Sequence, residues 1–364
     1  MRHDVKKVKD NFDILGDFIS AAPYGSGHIN DTYRVVVDQG GTEVHYIFQR
    51  INHNIFKNPP ALMDNIRRVT DHINSKIHDE DEASRHSLYV IRTTEGKPYY
   101  HDLDGNFWRA YIFIEKAMTY DIIESEQQAF QAAQAFGTFQ KELVDIPGKR
   151  LHETIPDFHH TPRRIAMLEA AIAADVMDRV KSAQPEIDFV LKRKAEAEIL
   201  IKLQEQGQLP ERITHNDTKL NNVMIDDETG EGICVIDLDT VMPGLIHYDF
   251  GDMVRTSTSP AAEDEKDLSK VYMQFNMFEA LLRGYLSTAG DFLTPVEKEY
   301  LPFAGKLVTL TIGLRFLTDY LQGDIYFKTR HDEHNLDRCR TQFKLIESIE
   351  QQMDKMKTLL DSID

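Results

Sequence analysis

Cysteine is scarce in this chain: two residues, Cys234 and Cys339, among 364. That excludes a disulfide framework and suits a reducing compartment, since Cys234 sits in an expected core strand. Basic residues are short too, 42 against 60 acidic ones, giving a formal net charge of −18. Such a balance argues against nucleic acid or an anionic membrane as a general partner. No stretch approaches the ~20 apolar residues of a membrane span. The opening MRHDVKKVKDNFDILGDF lacks the apolar segment of a secretory signal. Neither an internal repeat nor a low-complexity linker is visible. A soluble, cytoplasmic protein is the expectation. What is present is ordinary globular material, 41% hydrophobic and 28% charged, long enough for two domains or one large two-lobed enzyme.

Residues 213–239, ITHNDTKLNNVMIDDETGEGICVIDLD, stand out. A polar loop carrying His215, Asp217 and Asn222 runs into the apolar Val223-Met224-Ile225. A turn rich in Asp, Glu, Thr and Gly follows, and a second apolar run ends in Asp237-Leu238-Asp239. The pattern predicts a loop, a strand, a turn and a second strand. A hairpin with a carboxylate at one end and one or two at the other suits a divalent metal held beside a proton acceptor.

Elsewhere, Val5, Val8, Phe12, Leu15 and Ile19 predict a helix over 5–19 that Pro23 ends. The loop with Gly25 and Gly27 leads to strands at 35–37 and 44–51. Two readings fit this loop: a plain hairpin turn, or a backbone cradle for phosphates. A helix over 59–77 and strands at 88–91 and 108–114 complete the first part. Beyond 115–118 the pattern turns helical, with a capping box at Ser125 and Gln128 and helices over 187–206, 268–282, 307–321 and 335–362. The fold class is therefore α+β: a small antiparallel-sheet lobe at 1–116 and a larger, mostly helical lobe at 117–364. The last helix fits either packing on its own lobe or a dimerising coiled coil.

His215-x-Asp217 with Asn222, followed by a strand ending at Asp237, resembles the catalytic loop and metal-binding aspartate of the protein-kinase-like phosphotransferases. The resemblance implies ATP and Mg²⁺ as cofactors. It makes Asp217 the base, Lys219 the cation beside the transferred phosphoryl group, and Asn222 and Asp237 the metal ligands. It also places the adenine hinge at Phe113 and Ile114 and a phosphate cover at Gly25 and Gly27. Asp249-Phe250-Gly251 spells the kinase metal motif but falls 32 residues after Asp217, whereas Asp237 falls 20 after it and ends a strand. The metal role therefore goes to Asp237, with Asp239 as a second ligand or support. Asp249 and Asp252 are expected to brace the loops. One departure stands out. The third strand carries Gln49 and Arg50 in place of the usual lysine, and the next helix holds Asp64 and Asp71 but no Glu. Gln49, Arg50 or Lys219 is left as the phosphate contact.

Taken together, the stretches at 24–33, 108–111, 214–222, 236–244, 249–252, 263–270 and 315–327 resemble the N-acetylhexosamine 1-kinases, anomeric sugar kinases of the aminoglycoside and choline phosphotransferase superfamily. That resemblance implies phosphorylation of the anomeric hydroxyl of N-acetylglucosamine or N-acetylgalactosamine. The sugar contacts it suggests are His28, Arg315, Asp319 and Tyr326. Bland readings stand beside them: Arg315 paired with Asp319 along a helix, and Tyr326 half-buried. Two other functions remain open, another small-molecule kinase of this fold and a nucleotide-binding pseudokinase.

Overall fold

The computed structural model describes residues 3–25, 27, 29–77 and 85–363. The chain divides into two compact units. The first joins Met1–Thr119 with Asp145–Ile155 and Val223–Pro243; the second joins Tyr120–Val144, Pro156–Asn222 and Gly244–Asp364. An antiparallel sheet dominates the first and helices the second, as the α+β reading expects.

In the first unit, α1 (Val5–Lys9) precedes strands β1 (Asp17–Pro23), β2 (Asp31–Asp38), β3 (Glu43–Ile51), β4 (Val90–Ile91), β5 (Tyr100–His101) and β6 (Phe107–Ile112). Their order is β1-β2-β3-β6-β4, with β5 also paired to β6. Alternation along β2 turns Tyr33, Val35 and Val37 to the core, where they meet Phe48, Trp108 and Ala110. The other face of the sheet carries a cross-strand row, Thr32 opposite Gln49 and Gln49 opposite Arg109. Gly40 and Gly41 close the β2–β3 hairpin at φ 69° and 92°, values an L side chain resists.

The helix expected over 5–19 stops at Lys9. Gly16 has φ 96°, and a Cβ there would lie 2.2 Å from the Asp38 carbonyl oxygen. The chain must turn at this point, and Leu15, 80% exposed, buries nothing. Helical spacing was coincidental beyond Phe12.

Helix α2 (Pro59–Asn74) is capped by Asn58 and buries Leu62, Met63, Ile66, Val69 and Ile73. Its Asn65, fully buried, donates to the carbonyls of His152 (2.8 Å) and Val241 (3.0 Å) and accepts from the His152 amide (2.9 Å). Those bonds tie two later segments to the first unit. Strand β7 (Ala117–Met118) does the same by pairing with β9 (Val223–Asp226), which pairs in turn with β10 (Gly232–Val235). The contiguous division at residue 116 is thus replaced by a discontinuous one. The hairpin after the 215–222 loop follows its hydrogen bonds into the first unit.

The second unit contains β8 (Arg212–Thr214) and helices α3 (Glu126–Glu142), α4 (Thr161–Ala174), α5 (Gln184–Lys192), α6 (Ile199–Glu205), α7 (Ile246–Ser257), α8 (Phe275–Ala289), α9 (Pro295–Glu299), α10 (Leu301–Gln322) and α11 (His334–Asp361). The helix expected over 187–206 breaks between α5 and α6, where Arg193 turns to grip Glu350 at 2.7 and 2.8 Å. The helix expected from 268 starts only at Phe275, after a 3-10 turn at Leu268–Lys270. At α3, Ser125 accepts from the Gln128 amide, but the Gln128 side chain reaches the Glu124 amide, one residue short of a full capping box.

Against the expectation that no stretch approaches a membrane span, helix α10 is long and apolar enough to be one by length and composition, but 83% of its most apolar window is packed inside the protein. It is the core helix of the unit. Leu336, Cys339, Phe343 and Ile346 of α11 pack into the same core, so the first half of the stripe considered for dimerisation is covered by its own unit. Close helix contacts depend on glycine. A Cβ at Gly284 of α8 would stand 2.2 Å from the Phe130 carbonyl oxygen of α3. Gly284→Ala is therefore expected to cost ~1–3 kcal/mol through overpacking, read as a lowered urea midpoint. An unchanged midpoint would show that the two helices separate freely.

Candidate active site

The loop 215–222 leaves β8 and is shaped almost entirely by α7. Asp249, in the first turn of that helix, accepts from the amides of His215 (2.9 Å) and Asn216 (2.6 Å) and from Gln140 Nε2 (2.6 Å). Asp252, one turn on, accepts from the Thr218 amide (3.1 Å) and from Arg255 Nε (2.8 Å). The Thr218 hydroxyl donates to the Asp249 carbonyl at 2.6 Å. All these groups are buried. Asp249 and Asp252 therefore clamp the loop, in keeping with the bracing role expected of them. Burial pushes the Asp249 carboxyl above its usual range, against the pull of His215 and the backbone donors.

Within the clamped loop, Asn216 takes φ 67° and the backbone turns sharply before Asp217. Lys219 Nζ lies 2.8 Å from one Asp217 oxygen. Asn222 Nδ2 donates to the Asp217 carbonyl (2.7 Å) and to its other carboxylate oxygen (3.2 Å). Burial works to raise the Asp217 pKa; Lys219, His215 and Arg255 outweigh it and hold the carboxyl below its usual range. The Lys219 ammonium is correspondingly raised, although its burial alone would lower it. A carboxylate, an ammonium and a carboxamide are thus gathered around one acceptor, with the carboxylate ionised at neutral pH.

His159 is a participant that sequence reasoning missed, because a lone histidine between helices carries no motif. Its Nε2 donates to the Asn216 carbonyl at 3.0 Å, and its ring stacks on Tyr248. Burial pushes its pKa down to about 4. His247, bonded to the Glu297 carbonyl at 2.9 Å, is likewise pushed down to about 4. Both rings are neutral in the fold but titrate near 6.5 once unfolded. Between those values the unfolded chain binds more protons, so stability falls as pH falls from 6.5 toward 4. The expected slope is about 1.4 kcal/mol per pH unit for each histidine. Urea midpoints measured across this window test it, and His247→Gln should remove part of the slope.

Also in the second unit, the Arg315 guanidinium lies over three rings, Phe158 (5.2 Å), Phe327 (5.4 Å) and Tyr326 (5.7 Å). Burial lowers its pKa to about 10, with Tyr326 pulling upward and Arg164 and Arg255 pressing further down. Asp319 does not pair with Arg315. Its carboxylate accepts from the amides of Ile325 (3.0 Å), Tyr326 (2.8 Å) and Phe327 (3.0 Å) and from Asn335 Nδ2 (2.9 Å). It shapes the turn that leaves Tyr326 62% exposed beside the arginine. Arg315 and Tyr326 are thus brought together, with Asp319 behind them. His28 lies outside the described residues.

In the first unit, Gly25 has φ 78°, and a Cβ on either Gly25 or Gly27 would meet nothing within 4 Å. Arg50 is engaged by Asp31 at 2.6 Å. Gln49 accepts from Arg109 Nε (2.9 Å) and donates to the Thr32 hydroxyl (3.0 Å). Phe113 follows β6, its amide bonded to the His45 carbonyl (3.2 Å) and its ring edge-on to Tyr24 and His45; Ile114 beside it is buried. Asp237 takes φ 57° as β10 gives way to a 3-10 turn at Leu238–Thr240. Asp239, two residues on, is bound by Arg109 and by Asn30 Nδ2 (2.7 Å). Among the described residues no three His, Cys, Asp or Glu side chains converge as a metal cage.

Comparison with known proteins agrees with this geometry. A phosphotransferase enzyme family (APH) matches residues 20–277. Among solved structures, an aminoglycoside phosphotransferase from Alicyclobacillus acidocaldarius shares the fold with a TM-score of 0.64 at 11% identity, covering 98% of this chain and 96% of that one. A choline kinase from Cryptosporidium parvum gives 0.56 at 14% identity, with 98% of both chains covered. A spectinomycin phosphotransferase, solved with ADP and its antibiotic, gives 0.53 at 14% identity, covering 93% and 94%. At these identities the likeness is one of fold.

Proposed function

We propose, from the premise that this chain belongs to the phosphotransferase enzyme family, that it moves the terminal phosphoryl group of ATP to the anomeric hydroxyl of an N-acetylhexosamine. The observation that carries the reading is the Asp217 carboxylate, held between Lys219 and Asn222 in a loop braced by Asp249 and Asp252. The sugar hydroxyl donates a hydrogen bond to Asp217 and gives up its proton as the oxygen attacks phosphorus in line. An anomeric hydroxyl is more acidic than an ordinary sugar alcohol, so a carboxylate of low pKa suffices as acceptor. Lys219 offsets negative charge on the transferring group. By the sequence resemblance, Asn222 and Asp237 would supply oxygens to Mg²⁺; that ion, when bound, would neutralise phosphate charge.

Support for the acceptor class comes from the scattered sequence stretches together with Arg315 and Tyr326. An arginine resting on aromatic rings beside an exposed tyrosine offers donors and a flat apolar face, which suits a ring bearing hydroxyls and an acetamido group. ADP release should be measured with ATP and Mg²⁺ over free hexoses, N-acetylhexosamines, choline and an aminoglycoside. The reading expects N-acetylhexosamines to lead the panel and phosphorus NMR to place phosphate on C1. Preference for choline or an aminoglycoside would retain Asp217 as base and discard the sugar.

A further inference from the structure

The strand that usually supplies a lysine to nucleotide phosphates has none here, and α2 supplies no glutamate to pair with one. The two acids of α2 are engaged elsewhere: Asp64 pairs with Arg67 and His152, and Asp71 with Arg67 and Arg92. Arg50 is held by Asp31. Yet the first unit does bury a cation on this side of its sheet. Arg109 of β6 is 1% exposed and forms an ion pair with Asp239, whose own side chain is 4% exposed. Its Nε donates to Gln49, directly opposite on β3. The second Asp239 oxygen accepts from Asn30, just past the glycine loop, and the Asn30 side chain in turn accepts from the Asn52 amide at 3.0 Å.

A buried ion pair is a poor way to gain stability, because removing two charges from water costs as much as their attraction returns. Its position suggests another use. One network joins the base of the glycine loop (Asn30), the strand where the lysine is missing (Gln49) and the segment carrying Asp237 (through Asp239). The charge of Asp237 also acts on Arg109.

We propose that Arg109, paired with Asp239, takes over in this chain the work of the missing lysine–glutamate pair. It is a positioning residue that sets the nucleotide-binding side of the first unit, holding Asp237 and the glycine loop in register. The cation has moved one strand across the sheet, and its acid partner has moved from the helix to the hairpin end. This rests on the nucleotide-dependent reading given above.

The test is calorimetric binding of ADP to the full chain, alone and with Mg²⁺, alongside KM for ATP and for the sugar. Arg109→Met should weaken ADP binding roughly 10- to 100-fold, the range typical when a residue supporting a ligand-binding group is removed. Arg109→Lys should recover part of it. Because Arg109→Met leaves Asp239 buried and unpaired, the double variant Arg109→Met/Asp239→Leu is also needed, since replacing both charges with apolar groups restores packing. The expected result is a double variant that melts like the wild type, binds ADP weakly and shows a raised KM for ATP with KM for the sugar unchanged. A double variant that binds ADP as tightly as the wild type would overturn the proposal and leave the pair purely structural. Wild-type protein that binds no ADP would instead overturn the nucleotide reading beneath it.

Discussion

Asp217→Asn is expected to leave a folded protein that binds nucleotide and turns over roughly 10²- to 10⁴-fold more slowly, the usual worth of a positioned general base. Asparagine keeps the size of the side chain and an oxygen for Asn222 Nδ2, which lies 3.2 Å away in the wild type. It removes the carboxylate proposed to take the proton. The pH profile sharpens the test. Burial works to raise the Asp217 carboxyl, but Lys219 and its neighbours hold it below the ordinary carboxylate range. The proposed base is therefore ionised throughout neutrality, and the acid limb of kcat/KM should fall below that range. Lys219→Met, which removes the nearest cation, should move this limb upward. Turnover unaffected by Asp217→Asn would place the base on another residue.

The second large effect is structural. Asp249→Ala should destabilise the second unit by about 3–5 kcal/mol, because two backbone amides and the Gln140 amide lose their acceptor in a buried setting. A fall in melting temperature of roughly 10 °C corresponds to that cost. Activity should fall with it even at temperatures where the variant is folded, since the amides of His215 and Asn216 then release the turn that aims Asp217. Asp249→Asn, which retains one acceptor oxygen, should fall between the two. If Asp249→Ala melted normally and merely lost metal dependence, the kinase-like spelling of 249–251 would be a metal site after all.

These two residues also show what was legible before the structure. Asp217, Lys219 and Asn222 lie within six residues of one another, so a local motif could announce their chemistry. Asp237 was singled out because it ends an apolar run, and the structure places it at φ 57° where β10 gives way to a 3-10 turn. The bracing role of Asp249 was readable from its distance along the chain. Arg109 was not, because its partner Asp239 lies 130 residues away and neither residue is unusual by itself. His159 was silent for the same reason: its bond to the Asn216 carbonyl spans 57 residues. The helix over-read at 5–19 ends at Lys9; Leu15 and Ile19 keep helical spacing, but Leu15 is exposed and Ile19 lies on β1, beyond the turn at Gly16. The expected domain boundary failed on hydrogen bonding. Periodicity marks strands and helices, whereas it is the pairing of Ala117–Met118 with β9 and the bonds of Asn65 that decide which segments fold together.

The role proposed for the Arg109–Asp239 pair bears on the pseudokinase reading, which was motivated by the missing lysine–glutamate pair; an Arg109→Met/Asp239→Leu variant that binds ADP as the wild type does would leave that motive standing. What remains central is the identity of the attacking oxygen. The most direct measurement compares ADP release with N-acetylglucosamine and N-acetylgalactosamine against their 1-O-methyl glycosides, which keep every other group and lack the anomeric hydroxyl. The account predicts turnover of the free sugars, none of the glycosides, and competition by the glycosides for the same site. Glycosides phosphorylated as fast as the free sugars would contradict it, moving the reaction to another hydroxyl of the ring.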